Sequence, residues 1–259
     1  MTSPRFYSVS ILRTFLISAL LSGPAAAGTW VHNFNSVAND TPNGAANTNI
    51  TLSGGLLNGA AANATLLSNK RDTGNTINLA IVKTNAGGTA ETALRLADKN
   101  TNSGTGAMWL PVIDPGVGLS EFTLELDLLM NRQTAAATPA DGFNISFGQN
   151  LSGLGGAAGH ATAYGLVINF DTFQNSTADP RSIEIISDGA SVFNFLASSL
   201  PGGNFTFDTT FRHVALHWDA NGLDLTYGGT VICDNLPMPG FNPVAGSNFI
   251  FNSTTGGSV

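Results

Sequence analysis

Gly165-Leu-Val-Ile-Asn-Phe-Asp-Thr-Phe-Gln-Asn-Ser-Thr-Ala-Asp-Pro180 carries the decisive pattern of this chain. An apolar strand runs into Asp171 and breaks into a loop holding Asn175 and Asp179. Asp171, Phe173 and Asn175 alternate, so they project to one side for as long as the strand persists. Asp179 returns from the loop behind them. Two carboxylates, an amide oxygen and a main-chain carbonyl are thereby gathered around one point. Hard oxygen donors of this kind suit Ca²⁺, which takes roughly 6–8 oxygens at about 2.3–2.6 Å. Asn and Asp are also common turn residues, so the same letters fit a plain loop.

Upstream, Pro139-Ala-Asp-Gly-Phe-Asn-Ile-Ser-Phe147 sets a further acid, Asp141, at the entrance of another strand. Elsewhere period-two alternation dominates and helical periodicity is nearly absent. Phe122, Leu124, Leu126 and Leu128 share one strand face; Thr123, Glu125 and Asp127 share the other. Ile183–Ser187 meets the tight-turn pair Asp188-Gly189 and returns through Ala190–Phe195. Arg212–Trp218, Leu223–Tyr227 and Thr230–Cys233 form a three-stranded meander. Short turns between neighbouring strands imply antiparallel sheets. The stretch from Asn33 to Ala90 is rich in Asn, Ala, Gly and Thr, with strands expected over Thr48–Leu52 and Ile77–Val82, and Thr92–Leu96 just beyond. Ala60–Ala64 reads as loop. The fold class that follows is all-β, a jelly-roll sandwich of two antiparallel sheets.

Ala140-Asp141-Gly142-Phe143 and Phe170–Asn175, with Asp179-Pro180 following, resemble the legume-lectin-like (L-type, concanavalin A-like) domains. Phe249–Gly257 resembles that family's late strand and its turn, and the resemblance spans roughly Leu94 to Gly257. It implies that Asp141 accepts hydrogen bonds from two adjacent sugar hydroxyls. It implies that Asn175 serves both metal and sugar, and that Phe173 gives its carbonyl to the metal and its ring to the sugar. A backbone N–H from the Gly155-Gly156 loop would add a donor beside Gly142. The metal set would be Asp171, Phe173, Asn175 and Asp179, around Ca²⁺. Plant members hold a second, transition metal through Glu and His; Asn169 and Ser182 stand at those positions. Neutral amide and hydroxyl are poor ligands for it, so no second metal is expected. The partner implied is a glycan or polysaccharide.

The same sandwich carries glycoside hydrolases, and Glu125-Leu-Asp127 matches the start of their carboxylate strand. Leu129 and Met130 fall where the closing acid would be. A retaining hydrolase needs two carboxyl groups only about 5–5.5 Å apart. Hydrolysis and a structural surface domain without ligand therefore stand as alternatives to sugar binding.

The bulk properties agree with export. Arg5 and Arg13, the apolar run Thr14–Leu21 and the small residues Ala25-Ala26-Ala27 read as a secretory signal over residues 1–27. Residues 28–259 then form one domain, secreted or held at the cell surface, with no later spanning segment. The chain ends at Gly256-Gly257-Ser258-Val259, just after a turn signal. The resemblance implies one strand more, so an incomplete sandwich is expected, with a gap or open edge through which copies could pair. Lys and Arg total 10 against 17 Asp and Glu, and the net charge is −7. Such a balance disfavours nucleic acid, whose phosphates need clustered Lys and Arg. The single cysteine, Cys233, excludes an intramolecular disulfide and sits in a strand. The eight Asn-X-Ser/Thr sites are those a chain this rich in Asn, Ser and Thr produces by composition.

Overall fold

The computed structural model describes residues 11–20, 29–32, 50–52, 56–58, 60–68, 80–84, 91–97, 105–116, 118–130, 141–149, 165–207 and 210–254. Its strands are β1 (Ile11–Leu20), β2 (Thr29–His32), β3 (Ile50–Leu52), β4 (Leu56–Leu57), β5 (Ala60–Ala61) and β6 (Ala64–Ser68). They continue with β7 (Ala80–Thr84), β8 (Glu91–Arg95), β9 (Thr105–Trp109), β10 (Glu121–Leu129), β11 (Gly142–Gly148) and β12 (Leu166–Asp171). The last six are β13 (Ser182–Ser187), β14 (Ala190–Leu196), β15 (Arg212–Asp219), β16 (Gly222–Tyr227), β17 (Thr230–Leu236) and β18 (Asn248–Thr254). One 3₁₀ turn, Ala197–Ser199, is the helical element of the described residues.

The strands form two sheets. The first runs β17-β16-β15-β10-β1-β2-β4-β5, with β8 also paired to β1 and β7 to β8. The second runs β14-β13-β12-β11-β18-β9-β6-β3. Neighbours are antiparallel, as the short turns require. This is the all-β sandwich that the alternation predicts. The Asp188-Gly189 turn takes left-handed φ at both residues, 46° and 81°, which a two-residue hairpin matching strand twist demands. Its Asp188 side chain accepts from the Gly165 N–H at 2.8 Å, tying this turn to the start of β12.

The core lies between the sheets. Phe122, Leu124, Leu126 and Leu128 of β10 face Phe143, Ile145 and Phe147 of β11, Phe170 of β12 and Phe249 and Phe251 of β18. The Phe122 and Phe147 rings meet across the sandwich at 4.9 Å, and Phe147 meets Phe249 at 4.4 Å. Tilted and edge-on contacts of this kind suit the ring quadrupoles.

One expectation is revised. Ala60–Ala64 is not plain loop: Ala60–Ala61 and Ala64–Ser68 are strands. Pairing to β4 and β9 overrides the weak strand propensity of Ala and Asn. The segment Ile11–Leu20, within the stretch read as a secretory signal, lies as a strand between β10 and β2. Among the described residues, no helix is long and apolar enough to cross a membrane.

Cys233 is buried, and its Sγ donates to the Leu223 carbonyl at 3.4 Å. Burial is the main cause pushing its thiol up to about 11. At pH 8 the reactive thiolate is then scarcer by roughly 100-fold than in a free cysteine. One equivalent of thiol reagent should react promptly after unfolding and only slowly before it; fast labelling of the native chain would contradict the packing.

Candidate sugar and cation site

The site is built where β11, β12 and β18 reach the same end of the second sheet. Gly142 pairs with Asp171 on one side and Thr254 on the other. Asp141 is fixed by its backbone: its N–H donates to the Thr254 carbonyl at 2.7 Å, and its carbonyl accepts from Thr172 N–H at 3.0 Å. Ser253 Oγ adds a bond to the Gly142 carbonyl at 3.0 Å. These contacts bring the Asp141 segment directly against the start of the loop that follows Asp171.

Gly142 explains the Asp-Gly order. Its φ is +148°, and a Cβ there would stand 2.0 Å from the Phe170 carbonyl oxygen. Only a residue without a side chain lets β11 enter the sheet at this point. The motif is therefore a backbone device that delivers Asp141 to the rim.

The strand ends at Asp171 and a loop follows, as the sequence pattern predicts, so Asp171, Phe173 and Asn175 do not alternate along one strand. Asp171 ends β12, and its Oδ1 accepts from the Phe173 N–H at 2.9 Å. This side-chain turn competes with further ladder bonds and starts the loop. Asn175 and Asp179 close the loop on themselves: Asn175 Nδ2 donates to Asp179 Oδ2 at 2.8 Å. Asp179 N–H also donates to the Ser176 carbonyl at 3.2 Å, and Ala178 N–H to Ser176 Oγ at 3.2 Å. Asn175 and Asp179 are exposed, while Asp141, Asp171 and Phe173 are half-buried. Gly155 and Gly156 lie outside the described residues, as does Ala140.

The electrostatics are those of crowded carboxylates. The Asp171 carboxyl is pushed up to about 6, first by desolvation, with the Phe173 N–H opposing and the charges of Asp179, Asp141 and Glu184 adding to the rise. Burial likewise raises Asp141. No cationic side chain figures among the influences on either group. Among the described residues, no group of three or more His, Cys, Asp or Glu side chains is close enough to hold a metal by itself. The expected cation set is different in kind, since it adds the Asn175 amide oxygen and the Phe173 carbonyl. Its donors are all hard oxygens, and its excess negative charge is what a divalent cation neutralises.

Sequence reasoning missed Glu184. It lies opposite Asn169, while Ser182 lies opposite Asp171, so all four occupy the outer face of the second sheet. The signal was present in the alternation Ser182-Ile-Glu-Ile185, but its relation to Asp171 depends on pairing between strands. The outer-face row continues from Asn169 to Asn144 and Asn252. Both side-chain amide atoms of Asn144 and of Asn252 are buried without a hydrogen-bond partner among the described residues. Asn144 is 0% exposed, so its sequon cannot carry a glycan in the folded chain. Glu125 and Asp127 lie in the other sheet, where Asp127 Oδ1 meets His213 Nδ1 at 3.0 Å. They are not part of the site that gathers Asp141 and Asp171.

No family model matches the sequence. No curated protein matches it either. Among solved structures, the chain is similar to the VIP36 exoplasmic/lumenal domain in its Ca²⁺/Man3GlcNAc-bound form. That likeness has a TM-score of 0.46 and 16% identity, covering 63% of this chain and 71% of that one. The metal-free form of the same domain gives 0.45 and 15%, over 73% and 82%. The Emp46p carbohydrate recognition domain in its potassium-bound form gives 0.43 and 14%, over 61% and 73%.

Proposed function

We propose that this protein is an exported carbohydrate-binding domain, with a Ca²⁺-supported site at the Asp141 end of its second sheet. The observation that carries the reading is the backbone clamp on Asp141. Hydrogen bonds to Thr254 and Thr172, together with a Gly142 that tolerates no side chain, hold one carboxylate beside the Asp171–Asp179 loop. A sugar is a disc of hydroxyls with one C–H face, and it needs acceptors, donors and an apolar platform on rigid supports. Asp141 supplies the acceptor, the second Asn175 N–H and the Gly155-Gly156 backbone the donors, and Phe173 the platform. Ca²⁺ would sit among Asp171, Asp179, the Asn175 oxygen and the Phe173 carbonyl, fixing the loop before the sugar arrives. Less ordering entropy then opposes binding. Asn169 and Ser182 give a transition metal neither carboxylate nor imidazole, so no stoichiometric Mn²⁺ or Zn²⁺ should accompany the purified protein in elemental analysis. Stoichiometric transition metal at this loop would overturn the assignment.

Calcium should also be visible as stability. A ligand at about 100 times its dissociation constant adds roughly 2.7 kcal/mol. For a domain of this size that is a rise in Tm of about 5–10 °C. Thermal unfolding with calcium and with chelator reads it, and an unchanged Tm would remove the cation from the account. The function itself is tested on a glycan array with and without chelator, followed by analysis of the glycans for cleavage. Chelator-sensitive binding without cleavage supports the proposal. Cleaved products would indicate a hydrolase, and silence a structural module.

A further inference from the structure

Beyond β14 the chain makes the 3₁₀ turn Ala197–Ser199 and returns toward β15 through residues 200–207. Leu200 and Phe205 anchor this segment in the core, and the Phe205 ring lies 6.0 Å from that of Tyr227. Facing it are Arg212, where β15 starts, and Gly228 and Thr230 at the turn from β16 into β17. Gly228 N–H donates to the His213 carbonyl at 2.8 Å and fixes that turn. The two sides enclose a cleft of about 320 Å³. That volume is at the lower end for small-ligand pockets, with room for one sugar-sized ring. Tyr227 also meets the Phe170 ring at 5.5 Å, and Ala197 N–H donates to the Arg181 carbonyl at 2.9 Å. These contacts tie the cleft to residues on either side of the Asp171–Asp179 loop, at the same end of the sandwich as Asp141.

The lining of the cleft is rich in donors. Asn204 Oδ1 accepts from the Phe205 N–H at 2.8 Å, which leaves Nδ2 as the end available to a ligand. The Thr206 and Thr230 hydroxyls add two more donors. Arg212 lays its stem across Gly228: a Cβ there would stand 3.3 Å from Arg212 Cδ. Among the described residues no Asp or Glu lines the cleft, although the chain holds 17 acids against 10 Lys and Arg. A second guanidinium stands alongside: Arg181 lies over the Phe207 ring at 5.8 Å, and its Nε is buried with no hydrogen-bond partner among the described residues. We propose that this cleft binds the carboxylate-bearing ring of an acidic sugar, a uronate. The planar fork of Arg212 matches a carboxylate, and five donors let it serve a ligand beside its other contacts. Leu200, Pro201 and Tyr227 offer the C–H face of the ring an apolar wall, while Asn204 and the two threonines meet its hydroxyls. The proposal rests on the sugar-binding reading and deepens it by naming acidic glycans as the class, but it uses none of the donors assigned to the cation or to Asp141.

The test is a titration of the full chain with glucuronate, at constant ionic strength and in chelator, followed by the backbone amide resonances of Gly228 and Thr230. Glucuronate should shift both saturably. Glucose should leave them unmoved, and acetate should bind at least about tenfold more weakly, since it brings the carboxylate without the ring. Arg212→Lys keeps the charge and loses the fork, and should weaken glucuronate at least about tenfold. Asn204→Asp keeps an oxygen for the Phe205 N–H and sets a negative charge against the ligand, so it should weaken glucuronate further at an unchanged Tm. Asp141→Asn separates this cleft from the neutral-sugar site: it should bind glucuronate as wild type does, whatever becomes of its glycan binding. The proposal is overturned if glucuronate leaves the two resonances unmoved, or if acetate or glucose binds as tightly. Wild-type affinity in a folded Asn204→Asp chain, or loss of glucuronate in Asp141→Asn, would overturn it too.

Discussion

Gly142→Ala should lower the stability of the domain by about 3–5 kcal/mol and weaken sugar binding with it. A Cβ at this residue falls 2.0 Å from the Phe170 carbonyl oxygen and 3.1 Å from its carbon, and φ is +148°. Both obstacles are backbone, so no side chain can rotate away. The disfavoured φ costs about 1–3 kcal/mol and the overpacking a similar amount. The expected fall in Tm is roughly 10 °C. Relief by shifting β11 would break the Gly142–Asp171 pairing and the two bonds that hold Asp141. Glycan affinity should drop roughly 100-fold, the loss expected when charge-assisted hydrogen bonds go. Gly189→Asn is the control: that position also has positive φ, but nothing lies within 4 Å of its Cβ. Asn tolerates such backbone, so stability and binding should stay near wild type. Denaturant unfolding and glycan titration of both variants check this. A native-like Gly142→Ala chain would show that the Asp141 clamp is not rigid.

Asp171→Asn should separate stability from function. Desolvation, reinforced by the charges of Asp179, Asp141 and Glu184, pushes the Asp171 carboxyl from its ordinary 3.8 up to about 6. Between those values the folded chain holds more protons at this group than the unfolded chain does. The Asp171 contribution to metal-free stability is therefore fully present below about pH 4, is lost as the pH rises to about 6, and is absent above. Burial is partial, so solvent screening reduces the effect to about 1 kcal/mol. Asn keeps an oxygen to accept the Phe173 N–H and carries no charge to desolvate. At pH 7 without calcium the variant should be more stable than wild type by about that amount, with a flatter profile between pH 4 and 6. With calcium the order should reverse, because the variant loses one of the proposed cation ligands, and sugar binding should fall with it. Tm against pH, with calcium and with chelator, gives all of these at once. A variant that is less stable than wild type without calcium would contradict the electrostatic reading.

The sandwich was legible because its strands alternate. Phe122–Leu128 and Ile183–Phe195 could be placed from period two and one turn pair, since a half-buried strand leaves that trace locally. The Asp-Gly pair of the site was legible as a motif, and Gly142 supplies its physical cause in the approach of the Phe170 carbonyl. The end of β12 at Asp171 was legible as well, but the bond from the Phe173 N–H to the Asp171 carboxylate was not, because the letters do not decide which groups a turn joins. Glu184 escaped notice because its proximity to Asp171 arises across two strands. The Asn169–Asn144–Asn252 row is invisible for the same reason: register joins residues far apart in the chain. Ile11–Leu20 shows the limit of composition, since an apolar segment of ten residues serves equally as leader core or as strand.

The most direct test of the account is the affinity of Asp141→Asn, in calcium, for the glycan that the wild-type protein binds best. The carboxylate is desolvated at the rim, and the clamp that positions it is backbone, so the substitution leaves the fold intact. Glycan affinity should fall at least about tenfold, since hydrogen bonds to a charged acceptor are worth about 1.5–3 kcal/mol. Calcium-dependent Tm should remain that of wild type. Unchanged glycan affinity in a folded, calcium-binding Asp141→Asn chain would contradict the claim that this end of the second sheet is the sugar site.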